Sequence, residues 1–111
     1  MEIIPDKWIV VQLIHNGTSV YKIFATWMGS YLDGDSWKLN SGIESVSDDE
    51  EFYYFKGYSG SVYKCHKNHY GIATSFTRNV VENFKKVLTE NGSELLLFDD
   101  EGWKDIDFAN Q

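Results

Sequence analysis

Cys65-His66-Lys67-Asn68-His69 is the run in this chain whose residue types are suited to chemistry, since it holds the only cysteine and two of the three histidines. Two chemistries use such residues. A structural zinc site takes four ligands, usually as two close pairs. His15 is the only other histidine, and no spacing marks a carboxylate to complete a set. A thiolate–imidazole pair would instead make Cys65 a nucleophile, with His69 or His15 folding back as the base. Neighbours on a strand point to opposite faces, so Cys65 and His66 neither grip one ion nor act together as nucleophile and base. No orienting third residue and no strand-to-helix nucleophile elbow accompanies them. The reading is therefore no metal, no cofactor and no catalytic residues, with Cys65 buried as a small apolar group beside Tyr54 and Tyr63. Tyr58-Ser59-Gly60-Ser61-Val62 lacks the lysine of a P-loop and the spacing of a dinucleotide fingerprint, so it reads as a turn.

The element that must position this run is a β-hairpin over 52–67, FYYFKGY returning as SVYKCHK. With Ser59 and Gly60 as a two-residue loop, Tyr58 faces Ser61, Lys56 faces Tyr63 and Tyr54 faces Cys65. Tyr54, Lys56, Tyr58, Tyr63 and Cys65 then share one face; Tyr53, Phe55, Val62, Lys64 and His66 share the other. A face with three tyrosines packs and hydrogen-bonds at once, and is suited to recognition. Together with Trp27 or Trp37 it would line a pocket for a small aromatic molecule or nucleotide. Lys56, Lys64 and Lys67 among the rings also suit stacking of single-stranded bases, though only as a local patch.

Around this hairpin the remaining elements follow from periodicity. KWIVVQLI (7–14) is apolar on both faces, as in a covered strand. Asn16-Gly17 turns it into TSVYKIFATWM, placing Leu13 opposite Val20, Val11 opposite Lys22 and Trp8 opposite Ala25. Tyr21, Ile23, Ala25 and Trp27 make one face of that strand; Val20, Lys22, Phe24 and Thr26 make a mixed, partly wet one. GSYLDGD (29–35) is a loop rich in turn residues. SWKLNSGIESV alternates as one further strand, with Gly42 marking a bulge or an approach of backbone. Asp48–Glu51 forms an exposed turn.

After Gly71 the period changes. Phe76, Val80, Phe84, Val87 and Leu88, with Val81 beside them, predict a helix of about four turns. Ser75 or Thr77 caps its start, Gly92 after Asn91 fits the C′ position, and Glu82–Lys86 makes an exposed pair. SELLLF is a short buried strand. The fold class expected is one α+β domain spanning 1–111, a mostly antiparallel sheet of five to six strands built from successive hairpins, with one amphipathic helix packed on it.

Net charge bounds the partners. At −7 the chain lacks the basic footprint that displaces counterions from phosphates, so direct nucleic-acid binding is not expected, and an anionic membrane surface would repel it. One cysteine excludes an intrachain disulfide, and the N-terminus has neither a basic n-region nor a membrane-length apolar run; the expectation is a cytoplasmic protein. The oligomeric state is not legible.

The remaining feature is acidity. Residues 48–51 are four acids in a row, and the tail carries Asp99, Asp100, Glu101, Asp105 and Asp107 interleaved with Trp103, Ile106 and Phe108. Such runs are ordinarily solvated faces. Alternatively, carboxylates between aromatics imitate nucleic-acid phosphates and bind a basic protein surface, charge setting the on-rate and rings anchoring the complex. In size, acidity and aromatic load the chain resembles the small accessory proteins of bacteriophages and mobile elements: anti-CRISPR and anti-restriction inhibitors, antitoxins and immunity proteins. That resemblance is one of profile, rests on no motif and carries over no residues. It implies a non-enzymatic inhibitor or adaptor with Tyr54, Tyr58, Tyr63, Trp103 and the five tail acids as binding residues.

Overall fold

A computed structural model describes residues 1–29 and 34–110 of the chain. Its order is β1 (Glu2–Ile3), β2 (Lys7–His15), β3 (Thr18–Trp27), β4 (Ser36–Leu39), β5 (Ile43–Asp48), β6 (Phe52–Gly57), β7 (Val62–His66), α1 (Ser75–Glu90) and β8 (Glu94–Leu97), followed by 3-10 turns at Gly102–Asp105 and Phe108–Asn110. The domain is α+β, but the strands form two four-stranded sheets, β1-β7-β6-β5 and β4-β3-β2-β8, where one sheet of five or six was expected. Among the described residues the named strands pair antiparallel except β1 with β7, which the sequence reading missed.

The split arises at Asn40. Its buried amide accepts from the Ile23 N–H at 2.9 Å while its own N–H donates to the Ile23 carbonyl, so pairing with β3 ends there. Two residues on, Gly42 takes φ +143°, a conformation side chains resist. The chain thus leaves one sheet and enters the other in the middle of what reads as a single alternating strand. The loop expected over 29–35 falls largely on 30–33, outside the described residues.

β2 explains the layering. Trp8 and Val10 face β6 and β7 across one core, joined by Ile23, Ala25, Phe55, Tyr63 and Cys65. Ile9 and Val11 face α1 across a second core with Phe24, Val81 and Leu95. Its apolar character on both sides is thus what a strand sandwiched between a sheet and a helix requires. The β2–β3 register is as expected, Leu13 to Val20 and Trp8 to Ala25, around Asn16 and Gly17 at φ +51° and +77°. The β3 face expected to be partly wet is covered at Phe24 and Thr26. The Thr26 hydroxyl donates to the Lys7 carbonyl and accepts from the Ala73 N–H, fixing the approach to the helix.

The cap of α1 is Thr74, one residue before Ser75 and three before Thr77, the two caps expected; Thr77 instead completes a capping box in which the Thr74 and Thr77 side chains and backbones satisfy each other. It ends as expected at Gly92, where Gly92 N–H reaches Thr89 and Ser93 N–H reaches Leu88. The face turned inward is Thr77, Val80, Val81, Phe84 and Leu88, whereas Phe76 and Val87 of the expected stripe are exposed. Glu82–Lys86 is not among the ion pairs of the described residues.

Two substitutions test this packing. Phe84→Ala removes a half-buried ring held edge-on against Trp37 at 5.2 Å, and should cost about 3 kcal/mol by urea denaturation. An unchanged midpoint would mean the helix is not seated as described. Gly42→Ala would place its Cβ 2.7 Å from the Tyr58 ring and 2.8 Å from Val20, in addition to the backbone strain. It should cost about 2 kcal/mol or more, and Tyr58→Ala in the same chain should recover only the part of the steric cost that the ring causes, leaving the Val20 contact and the backbone strain.

Candidate interaction surface

The 52–67 hairpin differs from expectation by one residue, with large effects. Gly57 N–H donates to the Ser61 carbonyl at 2.8 Å, and Gly60 N–H returns to Gly57 with Gly60 at φ +94°. The loop is therefore three residues, Tyr58-Ser59-Gly60, and its last position needs the left-handed conformation that glycine supplies. Phe55 now faces Tyr63 and Tyr53 faces Cys65. A one-residue slip exchanges cross-strand partners throughout. The expected tyrosine face does not exist: Tyr63, only 1% exposed, lies in the core with Cys65, while Tyr54 is on the outer face and Tyr58 projects at the tip, 55% exposed. Cys65 faces Tyr53 rather than Tyr54, its Sγ donating weakly to the Tyr63 carbonyl at 3.7 Å, and burial pushes its thiol far up. A protonated, enclosed thiol is not a nucleophile. His66 and His69 stack on each other at 4.1 Å, and His15 lies at the far end of β2 with Ser93 and Asn16, roughly 23 Å along the strand from Trp8.

The β5–β6 turn and the tail approach each other at Asp48 and Lys104. In the β5–β6 turn, Asp49 Oδ1 accepts from the N–H groups of Glu51 and Phe52 at 2.9 and 2.8 Å, and Oδ2 accepts from the Tyr54 hydroxyl at 2.6 Å. Asp48 pairs with Lys67 at 2.6 Å, whose ammonium lies 4.9 Å over the Tyr53 ring. In the tail, Asp99 Oδ1 accepts from Gly102 and Glu101 N–H and starts the turn that inserts Trp103 into the core. Lys104, next along, pairs with Glu101 at 3.1 Å. An open recess of about 200 Å³ lined by Ser47, Asp48, Tyr53, Trp103 and Lys104 brings the end of β5 beside the tail. Seven carboxylates (Asp48, Asp49, Glu50, Glu51, Asp99, Asp100, Glu101) stand against three ammonium groups (Lys64, Lys67, Lys104), which leaves these two segments and their lysines four charges negative.

The expected binding residues divide accordingly. Asp100, Glu101, Asp105 and Asp107 are exposed. Asp99, like Asp49 in the other turn, holds its own backbone. Trp103, at 3% exposure, packs edge-on against Tyr53 at 4.8 Å and against Phe55 and Trp8; it and Phe108 are core groups, so neither anchors a partner. The sequence reading missed the outer strip of β6 and β7. Phe52, Tyr54, Lys64 and His66 share that face, with the Lys64 ammonium 4.5 Å from the Phe52 ring and His66 edge-on to Phe52 at 5.2 Å. The strip borders a groove of about 490 Å³ formed with Ile4, Pro5, Met28 and His69. A three-residue loop places these four side chains on one face, but no local signal in the sequence distinguishes it from a two-residue one.

Among the described residues no group of three or more His, Cys, Asp or Glu is placed to hold a metal ion, and no helix is long and apolar enough to cross a membrane. No protein-family model matches the chain, and neither a curated protein nor a solved structure shows significant similarity to it.

The Tyr54 hydroxyl and then the Phe52 N–H hold the Asp49 carboxyl below its ordinary range, and the same contact pushes Tyr54 up to about 12. A folded-state pKa below the unfolded one stabilises above about pH 4 and ceases to do so as pH falls through the folded value. Asp49→Asn keeps an acceptor oxygen but loses the charge. Wild type should therefore be the more stable at pH 6, by a margin that closes near pH 2 in urea denaturation. A margin unchanged at pH 2 would show that the charge contributes nothing.

Proposed function

We propose that this chain is a non-enzymatic binding protein of the accessory-inhibitor type, which engages a protein with a basic surface through its acidic end. The observation that carries this reading is the approach of the β5–β6 turn to the tail, fifty positions away, which brings Asp48 beside Trp103 and Lys104 at one recess. Against the carboxylates of these two segments stand three lysines, Lys64, Lys67 and Lys104, of which Lys67 and Lys104 form ion pairs among the described residues. The surplus field draws a basic partner into encounter. The anchoring role expected of Trp103 passes to Phe52 and Tyr54, which lie half-buried on the outer strip beside the β5–β6 turn. Hot-spot groups of this kind act on dissociation, whereas peripheral charges act on association. A nucleotide pocket built on Tyr54, Tyr58 and Tyr63 has no counterpart, because Tyr63 faces the core.

The test separates the two contributions. Asp100, Glu101 and Asp105, which are exposed, are changed to lysine, while Asp49 and Asp99 are kept because they hold turns. A partner captured stoichiometrically from source-cell extract should associate about tenfold more slowly with the triple variant, and with a flatter salt dependence, since exposed charges are screened over about 10 Å at 0.1 M salt. Phe52→Ala should leave association unchanged and speed dissociation. Equal association rates for wild type and the triple variant would reduce the acidic end to a solvated face.

A further inference from the structure

Between α1 and the sheet β4-β3-β2-β8 the packing leaves a cavity of about 100 Å³. Val11 and Phe24 form its floor, Val81, Phe84 and Leu88 its roof, and Leu39 on the edge strand β4 its side; every lining residue is apolar. Its origin is visible in the aromatic rings at that edge. Trp37 stacks on Phe24 at 5.8 Å and meets Phe84 edge-on at 5.2 Å, so three large rings hold helix and sheet apart there. Further in, the short β-branched side chains of Val11 and Val81 line the gap without filling it.

We propose that this cavity is a binding site for a compact, uncharged apolar molecule, a small ring or a branched chain of about five or six carbons. A void without polar walls stays dry, and an engineered apolar cavity of about 150 Å³ takes benzene or xenon. An entering apolar molecule displaces no ordered water and gains the dispersion contacts the walls lack. Nucleotides, sugars and charged molecules are excluded, since nothing inside offers a hydrogen bond. Entry is at β4, where Trp37 is 38% exposed and covers two of the wall residues from outside the sheet interior.

The probe is benzene, with the intact chain, followed by thermal denaturation. Binding to the folded state alone should raise Tm by about 2–5 °C, increasingly with benzene concentration up to its solubility. Val81→Leu places extra carbon in the gap, and should abolish the benzene increment. Leu39→Ala enlarges the gap and should increase it, which keeps the test decisive if Val81→Leu fails to fold. No shift in wild type, or equal shifts in wild type and the variants, would overturn the proposal.

Discussion

The joint on which the architecture depends is Trp8. Its indole Nε1–H donates to the His66 carbonyl at 2.8 Å, 58 residues away, and its own N–H and carbonyl bond to His69 and Gly71. A residue of one sheet thereby supplies backbone pairing to the segment that leaves the other. Its ring is the hub of an aromatic cluster, with Tyr70 at 4.8 Å, Phe55 at 5.4 Å, Trp103 at 5.7 Å and Tyr53 at 5.8 Å, all tilted or edge-on. Such pairs add to what area burial alone contributes. Tyr70 closes the cluster by donating its hydroxyl to the Phe98 carbonyl and accepting from the Val10 N–H, which ties down the start of the tail.

The acidic end depends on this cluster. Trp103 and Tyr53 meet beneath the recess, with Lys67 above Tyr53 and Lys104 beside Trp103. The carboxylates there are of two sorts. Asp49 and Asp99, though exposed, fold back on their own turns and satisfy amides that a tight turn leaves open, a use for which Asp is suited anywhere. The others are presented outward by those turns. An acidic run in sequence therefore mixes residues that build a surface with residues that constitute it, and only hydrogen-bond geometry separates them.

Local signals were legible and relational ones were not. Asn16-Gly17 fixed the β2–β3 register because that dipeptide admits little else. The change of period after Gly71 showed the helix, and the two-sided apolarity of Trp8–Val11 showed a covered strand. Ser59-Gly60 misled because Gly serves two-residue and three-residue loops alike, and nothing local decides between them. From that single step came the wrong face for Tyr63 and Cys65. Alternation in SWKLNSGIESV continued across a change of sheet, since alternation reports burial on one side and not which sheet supplies it. Trp103 and Phe108 read as anchors among acids because a 3-10 turn, unlike a helix or strand, leaves no period to show which residues point inward.

The position of β2 between two cores has a consequence for cooperativity. Its pairing partners are β3, the next strand in the chain, and β8, which joins Val11 to Leu97 across most of the chain. Take away the helix and β8, and one side of β2 loses its cover; take away β5 to β7, and the other side does. No contiguous half of the chain buries both faces of its own central strand. Partial structures therefore expose apolar surface at once, and the domain is built to be present as a whole or not at all.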